Sequence, residues 1–311
     1  MEMIQHNYVT IRGLNLHVAE IGTGPAVVLL HGFPGIWYSW RHQMIALANA
    51  GFRAISPDFR GYGLSQVPAE PEKTTFQDLA DDLLDLIDSF QLPKVFLVGK
   101  NFGARVVFRF ALFHQDRVSG LVTMGLPFMP TGPDASLDSF PKGFYMMRWR
   151  EPGRAEADFG RFDIKTVLKN IFILFTESEL QVAREDQEIM DLVDPSTPLP
   201  PWFSEEDLEY HAKLYEKSGF RTALQLPYRG WLEYDGVQDP RVNVPSLLIM
   251  GEKDYAMKFG SLGEYITSGM VRIYVPDLEI NFVPEGNHFV QEQFPDKVNH
   301  LLVAFLRKLI K

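Results

Sequence analysis

Cysteine is absent from all 311 residues, which excludes disulfides, thiolate metal sites and a cysteine nucleophile. No apolar run approaches the roughly 20 residues that span a bilayer. The opening MEMIQHNYVTIRG lacks the basic-then-apolar layout of a secretory leader. A cytoplasmic protein that neither spans nor rests on a membrane is therefore expected. Positive charge is in deficit: 30 Lys and Arg against 40 Asp and Glu give a formal net charge of −10 at pH 7. That balance disfavours nucleic acid and anionic lipid as partners. Internal repeats and low-complexity tracts are missing too. What is there is 46% hydrophobic content, enough for a sizeable core in one large domain or two.

Along the chain, Tyr8 to Arg12 and Leu16 to Ile21 flank Gly13 as a hairpin, and Ala26 to Leu30 reads as a buried strand ending in HGFPG. Strand and helix then alternate. Helical spacing marks Tyr38 to Ala50 and Thr75 to Phe90, with Phe52 to Ser56 a strand between them. Further strands are expected at Val95 to Val98, Ser119 to Gly125, Ser246 to Met250 and Glu279 to Val283, and Pro295 to Ile310 closes as an amphipathic helix. Eight strands in βαβ order predict an α/β fold: a mostly parallel sheet with helices on both faces and its site beyond the carboxyl ends of the strands. From PFMPTGPDAS onward the pattern breaks, and Leu137 to about Glu233 reads as helix and loop, SEEDLEYHAKLYEKSG most clearly. Residues 1–130 and 235–311 are thus expected to form a split core, with 131–234 an inserted helical cap.

The stretch VFLVGKNFGARVVF carries the chemistry. A strand, a turn of Gly99 to Gly103 and a helix form an elbow whose glycines clear space where backbones crowd, so the central residue projects at the helix N-terminus. That residue, where a nucleophile belongs, is Asn101. Asp254 in GEKDY and His288 in EGNH follow at later strand ends, in the chain order of an α/β-hydrolase. A carboxylate against one imidazole nitrogen fixes the tautomer and leaves the other nitrogen free to take a proton from water, with no metal or cofactor required. Backbone N–H groups of Phe33, in HGFPG, and Phe102 are the candidate oxyanion donors. His31 reads as structural, hydrogen-bonded beneath its loop.

Taken together, HGFPGIWYSWRHQM, DFRGYGLS, GKNFGA, GEKDY and EGNHFVQEQFP resemble the soluble epoxide hydrolases of the α/β-hydrolase superfamily, the plant branch most of all. The resemblance runs over essentially the whole chain. It implies that an elbow carboxylate attacks an epoxide carbon while two cap tyrosines, matched here by Tyr145 in FYMMRW and Tyr228 in LPYRGW, neutralise the departing alkoxide. The ester so formed is hydrolysed by water that His288 activates with Asp254 behind it. A small epoxide and water are the implied partners and a vicinal diol the product, with a monomer or weak homodimer sufficient. Pro34, Trp149, Phe172, Phe175, Trp231 and Phe289 are expected pocket walls, as are Phe140, Met146 and Met147.

Two positions depart from the family pattern. Its elbow residue is Asp where this chain has Asn101, and its HGFP loop usually continues with Glu where this chain has Gly35. A neutral amide is a far weaker attacker than a carboxylate, so ester formation should fall by several powers of ten, each about 1.4 kcal/mol of barrier. Two origins fit Asn101: an exchange made to trap a bound substrate, or a natural loss leaving an inactive small-molecule-binding homologue. Retention of Asp254, His288, Tyr145 and Tyr228 weighs against the second. A haloalkane dehalogenase shares the acid–base logic but assists halide with indole N–H donors, and Phe102, not Trp, follows the elbow.

Overall fold

The computed structural model describes residues 3–132, 136–138, 140–259 and 261–310. Its spine is one eight-stranded sheet in the order β1-β2-β4-β3-β5-β6-β7-β8. The strands are β1 (Gln5–Ile11), β2 (Leu14–Ile21), β3 (Ala26–Leu30), β4 (Arg53–Pro57), β5 (Val95–Lys100), β6 (Val118–Met124), β7 (Ser246–Gly251) and β8 (Leu278–Val283). Only β2 runs antiparallel to its neighbours β1 and β4; β3 through β8 pair in parallel. The hairpin turns through Arg12 and Gly13, both at positive φ, which matches the twist of a tight two-residue connection. Every residue of β3, β5 and β7 is buried, as strands covered on both faces require.

Helices α1 (Arg41–Asn49), α2 (Phe76–Ser89) and α3 (Phe102–Phe113) are the crossovers of the first half. Thr75 caps α2 in a reciprocal bond pair with Asp78, so the sequence signal for its start and the structure coincide. Between β6 and β7 the described residues form no strand, but α4 (Tyr145–Trp149), α5 (Arg154–Phe159), α6 (Ile164–Thr176), α7 (Glu205–Ser218) and α8 (Arg221–Leu224). This segment is fastened to the loop after β3. Tyr215 Oη donates to Pro34 O at 3.0 Å, and Asp207 on α7 takes Tyr38 Oη at 3.0 Å and pairs with Arg41 at 3.0 Å. After β7 come α9 (Leu262–Thr267), α10 (Val290–Gln293) and α11 (Pro295–Leu309), the last packed on α1. Helix edges differ from the sequence expectation by a few residues at most. At α1 the difference has a cause, because Trp37–Trp40 winds as a separate 3₁₀ turn before it.

Candidate active site

The elbow is built by close backbone approach. A methyl on Gly99 would stand 2.6 Å from Gly103 O, and one on Gly103 would stand 2.4 Å from both the Leu30 and His31 carbonyl oxygens. No side chain fits in either place. Asn101 between them takes φ 54° and ψ −129°, a conformation costly for a side-chain-bearing residue and one that clusters at functional sites. Its amide lies at the carboxyl end of β5, where the loops that end β7 and β8 also arrive.

Those loops deliver the partners. His288 Nδ1 lies 2.9 and 3.1 Å from the two carboxylate oxygens of Asp254, while Asn101 Nδ2 is 3.0 Å from His288 Nε2. The Ala256 N–H donates to Asp254 Oδ1 at 2.9 Å. Burial alone would raise the Asp254 carboxyl, but His288, Lys100 and that N–H outweigh it and hold it below the usual range. Burial pushes the His288 imidazole down against the pull of Asp254, and the Lys100 ammonium adds to the push. A neutral ring with its proton on Nδ1, facing Asp254, leaves the Nε2 lone pair toward residue 101. The arrangement is therefore a base aimed at the elbow.

Two sequence expectations about the HGFPG loop can be placed. His31 Nδ1 donates to Gly32 O at 3.0 Å and its Nε2 accepts from the Phe59 N–H at 3.1 Å, so both nitrogens are occupied inside the fold. Among the described residues the backbone N–H groups of Phe33 and Phe102 donate to no other protein group.

Above Asn101 and His288 opens a cavity of about 450 Å³ with mostly apolar walls. Tyr145 and Tyr228 both line it, their rings edge to face at 5.8 Å between centroids. Tyr145 Oη is 3.4 Å from Tyr255 Oη. Burial raises both phenols, keeping them protonated across the neutral range. Phe140, Met146, Phe175 and Trp231 are in the lining; Pro34, Met147, Trp149, Phe172 and Phe289 are not. Trp149 sits behind the tyrosines, packed edge-on to Tyr145 and Tyr228. Phe172 turns away to stack on Phe203 at 4.0 Å, and Phe289 packs against Phe172 and Trp202. Pro34 is taken up by the bond to Tyr215. Of these, Trp149 backs the cavity wall, and Phe172 and Phe289 pack on other neighbours.

Sequence reasoning missed Lys100. Its side chain is buried and its Nζ lies 3.3 Å from His288 Nε2, the same nitrogen that the Asn101 amide meets. Burial brings the amine down to about 8, partly resisted by Asp254 and Glu292. The available signal was a lysine inside the elbow turn, one residue before Asn101. Tyr255, on the turn after β7, and Gln291 and Glu292, on α10, were also missed, being far from Asn101 in sequence. Among the described residues no group of three or more His, Cys, Asp or Glu could hold a metal.

Comparison with known proteins decides what this arrangement belongs to. Residues 25–295 match the family described as the alpha/beta hydrolase fold. Epoxide hydrolase 2 of Siraitia grosvenorii is 37% identical over 320 residues, covering 99% of this chain and 100% of that protein. The chain belongs to the epoxide hydrolases of the α/β-hydrolase fold. The crystal structure of an epoxide hydrolase from Vigna radiata superposes with a TM-score of 0.92 at 34% identity, over 99% of both chains. A variant of the potato epoxide hydrolase gives 0.89 at 31% identity, over 98% of this chain and 99% of that one. No helix among the described residues is long and apolar enough to cross a membrane.

Proposed function

We propose that the chain is built to open small, largely apolar epoxides to vicinal diols through an ester on residue 101, and that Asn101 severely impairs the first step. In this reading a carboxylate at 101 attacks a ring carbon while Tyr145 and Tyr228 hydrogen-bond the oxirane oxygen, one giving its proton as the C–O bond breaks. His288 then takes a proton from water as it attacks the ester carbonyl, with Asp254 steadying the imidazolium and the Phe33 and Phe102 N–H groups receiving the oxyanion. Residues 131–234 act as a lid over a core of 1–130 and 235–311, and the protein works in the cytoplasm as a monomer or weak homodimer. The observation that carries the proposal is the line Asp254–His288–Asn101, with steps of 2.9 and 3.0 Å, ending at the floor of a cavity that two phenols share.

In this reading the amide impairs the first step for two reasons. Asn101 presents an N–H to His288 Nε2, so it occupies the base's lone pair and lacks the negative oxygen needed for attack. The test is to assay the chain beside its Asn101→Asp variant on a styrene-oxide-type substrate and follow diol formation by chromatography. Recovery of turnover by at least about a thousandfold, roughly 4 kcal/mol of barrier, is expected. Ligand binding without turnover in both proteins would refute the hydrolase reading in favour of a binding protein.

A further inference from the structure

Behind Asn101 lies a second chamber of about 10 Å³, and Asn101 and His288 belong to the walls of both spaces. Its other walls include Gly35, Trp40, Lys100, Gln291 and Glu292. A space of this size admits one water. Three of those side chains keep a buried polar atom without a partner: Trp40 Nε1, Gln291 Oε1 and Glu292 Oε1. Trp40 is fully buried, Gln291 is 2% exposed and Glu292 4%. Left dry, each such group would keep its desolvation penalty with nothing to offset it. A water that accepts from the indole N–H and donates to the free carboxyl oxygen removes most of that cost. The other Glu292 oxygen is fixed at 2.9 Å from Arg41 Nη1, which holds the carboxyl in place and leaves Oε1 to the chamber.

Position 35 gives this chamber its meaning. The resemblance to the soluble epoxide hydrolases implies a carboxylate there, and here glycine contributes no side chain to the wall. We propose that this chamber holds the hydrolytic water, and that Glu292, together with the Trp40 indole N–H, is the positioning residue that orients it for attack on the side-chain carbonyl carbon of residue 101. The inference rests on the epoxide-hydrolase reading above. In the Asn101→Asp protein the step balances as follows. The water oxygen bonds to Cγ of the ester, and one of its protons passes to His288 Nε2. The Cγ–O bond to the substrate carbon chain then breaks, and the departing alkoxide takes the proton from His288. The remaining proton leaves the regenerated carboxyl and restores the phenol that protonated the epoxide. Glu292 neither gains nor loses a proton; it fixes the direction of the second O–H and so the lone pair that attacks.

The test uses the full chain carrying Asn101→Asp, with Glu292→Gln or Trp40→Phe added, in single-turnover rapid quench with styrene oxide. Ester on the residue-101 peptide is followed by mass spectrometry and diol by chromatography. Ester formation should stay within about twofold of the parent while its hydrolysis slows by about tenfold to a hundredfold, so the ester accumulates. Trp40→Phe removes the indole N–H, leaves the Arg41–Glu292 pair intact and should show the same build-up in smaller degree, which guards against a fold made unstable by Glu292→Gln. Equal slowing of both steps, or no accumulation in either variant, would overturn the positioning role. If the Asn101→Asp parent itself forms neither ester nor diol, the reading of residue 101 fails and the inference falls with it.

Discussion

Replacing Lys100 with methionine tests the electrostatics of the site through stability alone. The side chain is 4% exposed and its ammonium stands 3.3 Å from an imidazole nitrogen, with Asp254 and Glu292 as its sources of attraction. Its folded value of about 8 against an ordinary 10.5 corresponds to on the order of 3 kcal/mol spent on burying the cation. The sign follows from linkage. Below about pH 8 both folded and unfolded chains carry the charge, and the full cost is present. Between 8 and 10.5 the folded amine is neutral while the unfolded one still binds a proton, so the cost shrinks as pH climbs through that window. Stability falls with rising pH only where the folded state binds more protons; here the unfolded state does, so stability from this group rises. Methionine keeps the unbranched shape and removes the charge. Denaturant melts of both proteins at pH 7 and pH 10 should show Lys100→Met the more stable at pH 7, by about 1–3 kcal/mol, the attraction to Asp254 and Glu292 being already contained in the lowered value. By pH 10 the gain should have largely vanished. A variant less stable at pH 7, or a difference that does not change with pH, would refute the reasoning.

Further expectations concern the elbow and the phenols. Gly103→Ala places a methyl 2.4 Å from two backbone oxygens that cannot move aside, so denaturant melts should show a loss of about 1–3 kcal/mol or no folded protein. An unchanged melt would mean the elbow is not held by that contact. In the Asn101→Asp protein, Tyr145→Phe and Tyr228→Phe should each slow ester formation by about 10²–10⁴-fold in stopped flow. Their melts should stay within about 1 kcal/mol of the parent, since the rings keep their packing. Formation at the parent's rate in both would remove the phenols from the acid role.

Much of this architecture was legible because its causes are local. The elbow follows from two glycines four apart around one projecting residue, and α2 announces its start through Thr75 and Asp78. Chain order then sufficed to bring Asp254 and His288 to Asn101, because parallel strands end on one edge of the sheet. Pocket walls were less legible for an equally physical reason. Phe172 and Phe175 lie three residues apart on α6, yet one meets Phe203 and the other the cavity, a choice set by neighbouring elements that helical periodicity does not encode. Lys100 reads in sequence as a polar residue of the elbow turn, whereas the fold ends β5 on it and sets it against Gly125 and beside His288; a methyl on Gly125 would come within 2.2 Å of its Nζ. The small chamber depends on α10 meeting the loop after β3, a contact spanning most of the chain.

The claim on which the account turns is that residue 101 carries the covalent bond to substrate. It is tested most directly in a double variant, Asn101→Asp with His288→Gln, where attack remains possible and hydrolysis lacks its base. After incubation with styrene oxide and acid quench, the peptide containing residue 101 should gain the mass of one epoxide, with little diol released. Diol produced while that peptide stays unmodified, or an adduct found only on another residue, would contradict the account.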